Sequence, residues 1–192
     1  MLPEMWRSHR QKVEIIDGSA AIWAVRMIKS ADEVELKRQA MKVATDAFFS
    51  CLETLEIGHT EEQFAIALKR EMFAQGSESV PWLPVGFGRA DMAYSLRPTQ
   101  RKLAENDYIW VDIGCVREGY MSDVNRSAKG GSVTNEEQAA HETIRRLTLE
   151  TLHSIRPVMT GGDVFRRCAN SHLQHCLVHL PVQHPASDTA QV

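Results

Sequence analysis

Tyr108-Ile-Trp-Val-Asp-Ile-Gly-Cys-Val-Arg-Glu-Gly-Tyr-Met-Ser-Asp-Val-Asn-Arg126 is the stretch whose reading decides the fold. Its first part, Tyr108 to Gly114, is rich in aromatic and β-branched residues and reads as a strand. Arg117-Glu118-Gly119 supplies a turn, and Tyr120 to Val124 reads as the returning strand. With Arg117 and Glu118 as the loop residues, Val116 pairs with Gly119, and counting outward sets Asp112 opposite Asp123. A four-residue loop gives the same pairing, and a three-residue loop shifts it by one. Directly opposed side chains have Cβ atoms roughly 4.5–5.5 Å apart, and like charges there are destabilising. A divalent metal held by both carboxylates would compensate them. Two solvated carboxylates on an exposed hairpin face is the other reading, and spacing does not decide between the two.

Outward from the hairpin, capping signals divide the chain. Ser30-x-x-Glu33 is a capping box, followed by Met41, Ala44, Phe48, Cys51 and Leu55 on one helical face that ends near Gly58. Thr60-x-x-Gln63 opens a second helix with Phe64, Leu68 and Met72 in line, stopped by Gly76. Thr134-x-x-Glu137 opens a third, with Ala140, Ile144, Leu147 and Ile155 inward and Pro157 as terminator. Thr160-Gly-Gly-Asp163 starts a fourth. Strand-like runs occupy Val80 to Phe87 and Tyr108 to Ser127. Two helices, then strands, then helices predict an α+β domain with an antiparallel sheet covered by helices.

The chain from Arg26 to about Asn170 resembles the catalytic domain of the pita-bread (M24-type) metallopeptidases. It is most similar to the branch of Xaa-Pro aminopeptidases, prolidases, creatinases and ectoine hydrolase. The matching pieces are Arg26-Met-Ile-Lys-Ser-Ala-Asp-Glu33, Arg97-Pro-Thr-Gln-Arg-Lys-Leu103, Val111-Asp-Ile-Gly114, Gly119-Tyr-Met-Ser-Asp-Val-Asn-Arg126 and Thr160-Gly-Gly-Asp-Val-Phe165. Their order and spacing carry the resemblance. It implies a partial pita-bread fold, whose two αβ halves are related by pseudo-twofold symmetry. It also implies a dinuclear metal site of two aspartates, one histidine and two glutamates, with Asp112 and Asp123 on the aspartate positions. Creatinases work without metal and do not keep these carboxylates, so the resemblance points to a branch using Mn, Co or Zn. The implied substrate is an Xaa-Pro peptide or a small cyclic or guanidino amide such as ectoine.

By the same resemblance, the histidine and both glutamates belong to segments beyond the last motif matched here. A second family histidine, three residues before the Pro-Thr pair, falls on Ser95, and serine cannot act as a general acid near neutral pH. The expectation is therefore a C-terminally truncated catalytic domain, inactive as this chain, with no assignable catalytic residue. The non-enzymatic alternative is a decayed copy that binds metal weakly or associates with full-length relatives. A homodimer is an assembly this reading admits.

Composition restricts the partners. Across 192 residues the hydrophobic fraction is 43%, the charged fraction 24% and the net charge −3, as in ordinary soluble domains. No basic stripe invites nucleic acid. No apolar run reaches the length of a membrane span, and the first residues do not form a signal peptide. Cys51, Cys115, Cys168 and Cys176 lack a framework spacing, so reduced thiols in a cytoplasmic protein are expected.

Residues 1–25 are read as the remnant of an N-terminal domain and linker, with Val13-Glu-Ile-Ile-Asp17 as its last strand. Residues 26–170 are the partial catalytic domain, and 171–192 an unrelated, disordered tail of the kind a frame change would produce. Poor protection from amide exchange is expected at residues 1–20 and 180–192. Cys168, His172, His175, Cys176 and His179 would share one helical stripe and are good ligands for zinc, copper or nickel. One helix seldom surrounds a tetrahedral ion unaided, so an accidental histidine run is the competing reading. Trp82-Leu-Pro-Val-Gly-Phe-Gly88 is read either as pocket lining or as an edge strand and turn. Arg126 is read as orienting Asp123 or as bonding other neighbours. Glu136, Glu137 and Glu142 suit a helix start.

Overall fold

The computed structural model describes residues 16–88 and 97–174, the last four of these by backbone alone. Their elements are α1 (Ser19–Met27), α2 (Ala31–Leu52), α3 (Glu61–Ala74), β1 (Ser79–Trp82), β2 (Val85–Phe87), β3 (Tyr108–Arg117), β4 (Tyr120–Met121), β5 (Val124–Lys129), α4 (Asn135–Ser154) and α5 (Gly161–Gln174). The chain separates into two compact units, residues 1–131 and 132–192.

In the first unit, β3 is the central strand of an antiparallel sheet. It is flanked on one side by β1 and β2, on the other by β4 and β5. Its side chains alternate as a pleated strand requires. Ile109, Val111, Ile113 and Cys115 point into the core, each no more than 3% exposed. The core is completed by Ala40, Ala44, Ala47 and Phe48 of α2 and by Phe64, Leu68 and Met72 of α3. Burying a side chain such as Phe48 or Leu68 contributes roughly 1.5–3 kcal/mol. The Cys115 thiol donates to the Ala40 carbonyl at 3.2 Å, which sets α2 against this face. The opposite face of β3 carries Asp112 and Gly114.

Capping fixes where the helices begin. The Ser30, Thr60 and Thr134 side chains each accept from the backbone N–H three residues on, and the Glu33, Gln63 and Glu137 side chains accept in return from the cap residues' own N–H groups. Phe64, Leu68 and Met72 are buried as the periodicity predicts. On α2 the buried stripe is Ala40, Val43, Ala44, Ala47, Phe48 and Cys51, whereas Met41 is 43% exposed. Small residues set the stripe because they let the helix lie close on the sheet. The Tyr120 hydroxyl donates to Glu33 at 2.9 Å and ties the hairpin to the cap of α2.

Helix α1 was not expected from the sequence. It has no side-chain cap and no buried residue, so it lacks the signals by which the other helices are recognised. The proposed strand at Val13–Asp17 falls largely outside the described residues, and Ile16 and Asp17 have no regular structure. In the second unit, α4 and α5 pack together. Leu147 and Thr151 are the buried positions of α4, while Ile144 and Ile155, expected inward, are 39% and 41% exposed.

Candidate metal centre

The hairpin turn differs from the sequence reading by one residue. Val116 pairs with Met121 and Arg117 with Tyr120, so Glu118 and Gly119 are the two loop residues. Both have positive φ, 48° and 77°, as a type I′ turn requires, and its right-handed twist matches the flanking strands. The Glu78 carboxylate accepts from both loop N–H groups, at 2.7 and 3.2 Å. Moving the turn by one residue moves the pairing by two. Asp112 therefore stands opposite Asn125, not Asp123. A shift of two preserves the face, so both aspartates remain on the side of the sheet away from α2 and α3.

Both flanking sides of β3 are interrupted near Asp112, one beside it and the other two residues along. On one side, Leu83 and Pro84 separate β1 from β2, and the Asp112 N–H donates to the Pro84 carbonyl at 3.1 Å. On the other, Ser122 and Asp123 separate β4 from β5. Ser122 is fully buried; its hydroxyl accepts from the Cys115 N–H at 2.9 Å and donates to the Ile113 carbonyl at 3.2 Å. It thereby holds the backbone from which Asp123 projects. Regular pairing is broken beside Asp112 on the β1–β2 side, while on the other side Asp112 keeps its partner Asn125 and the break falls next to it, at Ser122 and Asp123.

Trp82, Asp112, Asp123 and Asn125 line one open cavity of about 640 Å³. Trp82 pairs with Gly114, and a Cβ built on Gly114 would fall 2.2 Å from the indole. The missing side chain is what admits the ring. Asp112 is only 7% exposed. Burial and the neighbouring Asp123 carboxylate push its pKa above the ordinary aspartate value, partly offset by a hydrogen bond from Trp82. This buried carboxylate beside a second one lacks a cationic partner among the described residues. Arg126 does not supply one: its guanidinium donates to the Thr45 hydroxyl and the Asn125 carbonyl. Three residues along the strand from Asp123, it leaves the other face.

Two carboxylates with an amide oxygen beside them form an all-oxygen donor set, which suits a hard divalent cation. Asp112 and Asp123 would hold it. Among the described residues no group of three or more His, Cys, Asp or Glu side chains converges on a metal position, so the donor set fits as part of a site. Trp82 resolves the alternatives for its segment, being both a flanking-strand residue and part of the cavity wall. Asn125 was missed in the sequence, although its spacing of two from Asp123 already sets it on the same face. Ser95 lies outside the described residues, as do His175, Cys176 and His179. Cys168 and His172 lie on α5, with the His172 side chain undescribed.

Comparison with known proteins agrees with this architecture. A model described as metallopeptidase family M24 matches residues 35–180. The uncharacterized peptidase YqhT of Bacillus subtilis is 25% identical over 152 residues, covering 78% of this chain and 43% of its own length. An uncharacterized peptidase of Staphylococcus saprophyticus is 27% identical over 149 residues, covering 77% and 43%. The chain thus spans less than half the length of these curated relatives. Among solved structures, the X-Pro aminopeptidase of Thermotoga maritima superposes with a TM-score of 0.81 at 21% identity, covering 91% of this chain and 50% of that one. The prolidase of Pyrococcus furiosus gives 0.74 at 19% identity, covering 82% and 47%. These likenesses establish the fold as part of a pita-bread architecture.

Proposed function

Because the chain belongs to metallopeptidase family M24, we propose that it carries one side of a metal-dependent peptidase site of the Xaa-Pro aminopeptidase and prolidase type, with Asp112 and Asp123 as metal ligands. The observation that carries this reading is the pairing of a buried Asp112 with Asp123 on one sheet face, without a cation among the described residues to offset them. Mn, Co or Zn would be the bound ion. When bound, such an ion polarises a carbonyl and lowers the pKa of its water. The protein's own part is to hold the two carboxylates at fixed positions, Asp112 on the central strand β3 and Asp123 between β4 and β5, with Trp82 shielding Asp112 and Asn125 beside it.

This chain alone is inactive in the proposed reading, since two carboxylates leave most of an ion's coordination to solvent. Residues 26–170 form the partial catalytic domain, with 1–25 and 171–192 outside it. The proposed compartment is the cytoplasm, on the ground of four cysteines without a framework spacing. No helix among the described residues is long and apolar enough to cross a membrane, and Cys51, Cys115 and Cys168 are free thiols. The substrate class is a peptide, and a homodimer is the assembly to test.

The deciding experiment is Mn titration by calorimetry on a chain whose tail histidines are replaced. Weak binding that disappears in both Asp112→Ala and Asp123→Ala supports the assignment. Binding unchanged in both variants would overturn it.

A further inference from the structure

A second cavity, of about 590 Å³, lies along the outer edge of β1, between that edge and α3. Glu62, Ile66 and Lys69 of α3 form one wall, Val80 to Pro84 the floor, and Arg97 with Pro98 one end. Trp82 borders both this groove and the cavity of Asp112 and Asp123. We infer that the groove receives the carboxylate-terminated end of an extended peptide whose other end lies over Asp112 and Asp123, with Lys69 and Arg97 reading the carboxylate. The inference rests on the peptidase reading above and adds to it a length class of substrate.

Charge identifies the occupant. Lys69 and Arg97 are exposed, and neither has a carboxylate partner among the described residues. The groove's own acid, Glu62, is engaged by the Gln100 amide. Two cations without a carboxylate partner among the described residues, at a groove lined by both polar and apolar surface, complement a terminal carboxylate, which arginine can hold through two parallel hydrogen bonds. The edge also favours an end-on reader over a full strand. Among the described residues β1 and β2 pair only with β3, and the outward Phe87 N–H of β2 is taken by Glu61, which leaves the unpaired edge at β1. Pro81 and Pro84 lack N–H donors there and prevent a complete ladder. Retention of a peptide then depends on its terminal charge.

The spacing sets the length. Adjacent strands are roughly 4.8 Å apart, so a position outside the flanking strand is about 10 Å from Asp112. An extended chain covers about 3.3 Å per residue, so about three residues bridge that interval. A dipeptide cannot reach from the carboxylates to the groove; a tetrapeptide can.

The test uses the full chain without metal and follows proton–nitrogen correlation spectra. Ala-Pro-Ala-Ala should shift the Trp82 indole, the Lys69 backbone and the Asn125 side-chain amide together. Ala-Pro should shift the groove signals without Asn125. Amidating the tetrapeptide's C-terminus should weaken binding about tenfold, as expected for losing charge-assisted hydrogen bonds. Lys69→Ala with Arg97→Gln, both surface changes, should abolish the difference between acid and amide. Equal affinity for acid and amide, or no shift with any peptide, would overturn the inference. The Asp112→Asn, Asp123→Asn double variant separates the two readings. Groove shifts should persist in it even though any metal binding is lost.

Discussion

The indole of Trp82 rests on Gly114 so closely that any β-carbon there would sit inside the ring's contact surface, 2.2 Å from its nearest atom. Gly114→Ala should therefore swing the ring away, break its hydrogen bond to Asp112 and open the cavity wall. The expected cost is about 1–3 kcal/mol, typical of overpacking. Denaturant unfolding measures the cost, and a red shift of tryptophan emission reports the displaced indole. Unchanged emission would mean that the ring does not move.

The raised pKa of Asp112 has a definite consequence for stability. A carboxyl whose folded pKa exceeds its unfolded value binds protons more tightly in the native state. Its favourable contribution is present below the ordinary aspartate value and declines as pH rises through the folded value. Asp112→Asn should therefore stabilise the metal-free chain at pH 7, and the gain should vanish near pH 3. Melting curves at the two pH values test this. An equal gain at both would assign the effect to something other than the charge.

Glu61 is fully buried, and its carboxylate accepts from the Phe87 N–H at 2.9 Å, the Thr99 N–H at 2.9 Å and the Thr99 hydroxyl at 2.6 Å. Glu61→Gln places an N–H₂ group against one of these donors. The predicted loss is about 1–3 kcal/mol, the cost of a buried polar group left without its partner. Urea unfolding would show it as a lower midpoint with an unchanged slope.

At the hairpin turn, Glu118 is a non-glycine residue at φ 48°. Asparagine tolerates that conformation better and forms the favoured Asn-Gly pair of type I′ turns. Glu118→Asn should raise stability by about 0.5 kcal/mol, a size typical of improved surface turn chemistry. The Glu78 bonds to the turn are made by backbone N–H groups and should survive. A lower melting temperature would contradict the turn assignment.

With Mn, Co or Zn, the purified chain should leave Xaa-Pro dipeptides, longer Xaa-Pro peptides, creatine and ectoine intact. Liquid chromatography of overnight reactions is sufficient to detect cleavage. Turnover abolished by Asp123→Ala would show that a second subunit or another segment completes the site.

The sheet and its helices were legible because capping boxes and period-two alternation are local signals. Ser30, Thr60 and Thr134 announce α2, α3 and α4, and the hydrophobic residues of β3 alternate with Asp112 and Gly114. The face shared by Asp112 and Asp123 was also legible, because face depends only on parity. Their direct opposition was not, since the register turns on whether Arg117 or Gly119 completes the loop. Only the positive φ of Glu118 settles that, and glutamate does not advertise it. The inward face of α4 was misread at Ile144 and Ile155, since periodicity identifies an apolar stripe without saying what covers it. Asn125 and Trp82 were reachable by counting along strands once the register was known.

The bonds made by Glu61 gather two distant points of the chain, Phe87 and Thr99, onto one side chain. A sheet strand and the segment leading to the next strand are thus joined independently of the sequence between them. One buried carboxylate answers for two parts of the chain, and its loss would release both at once.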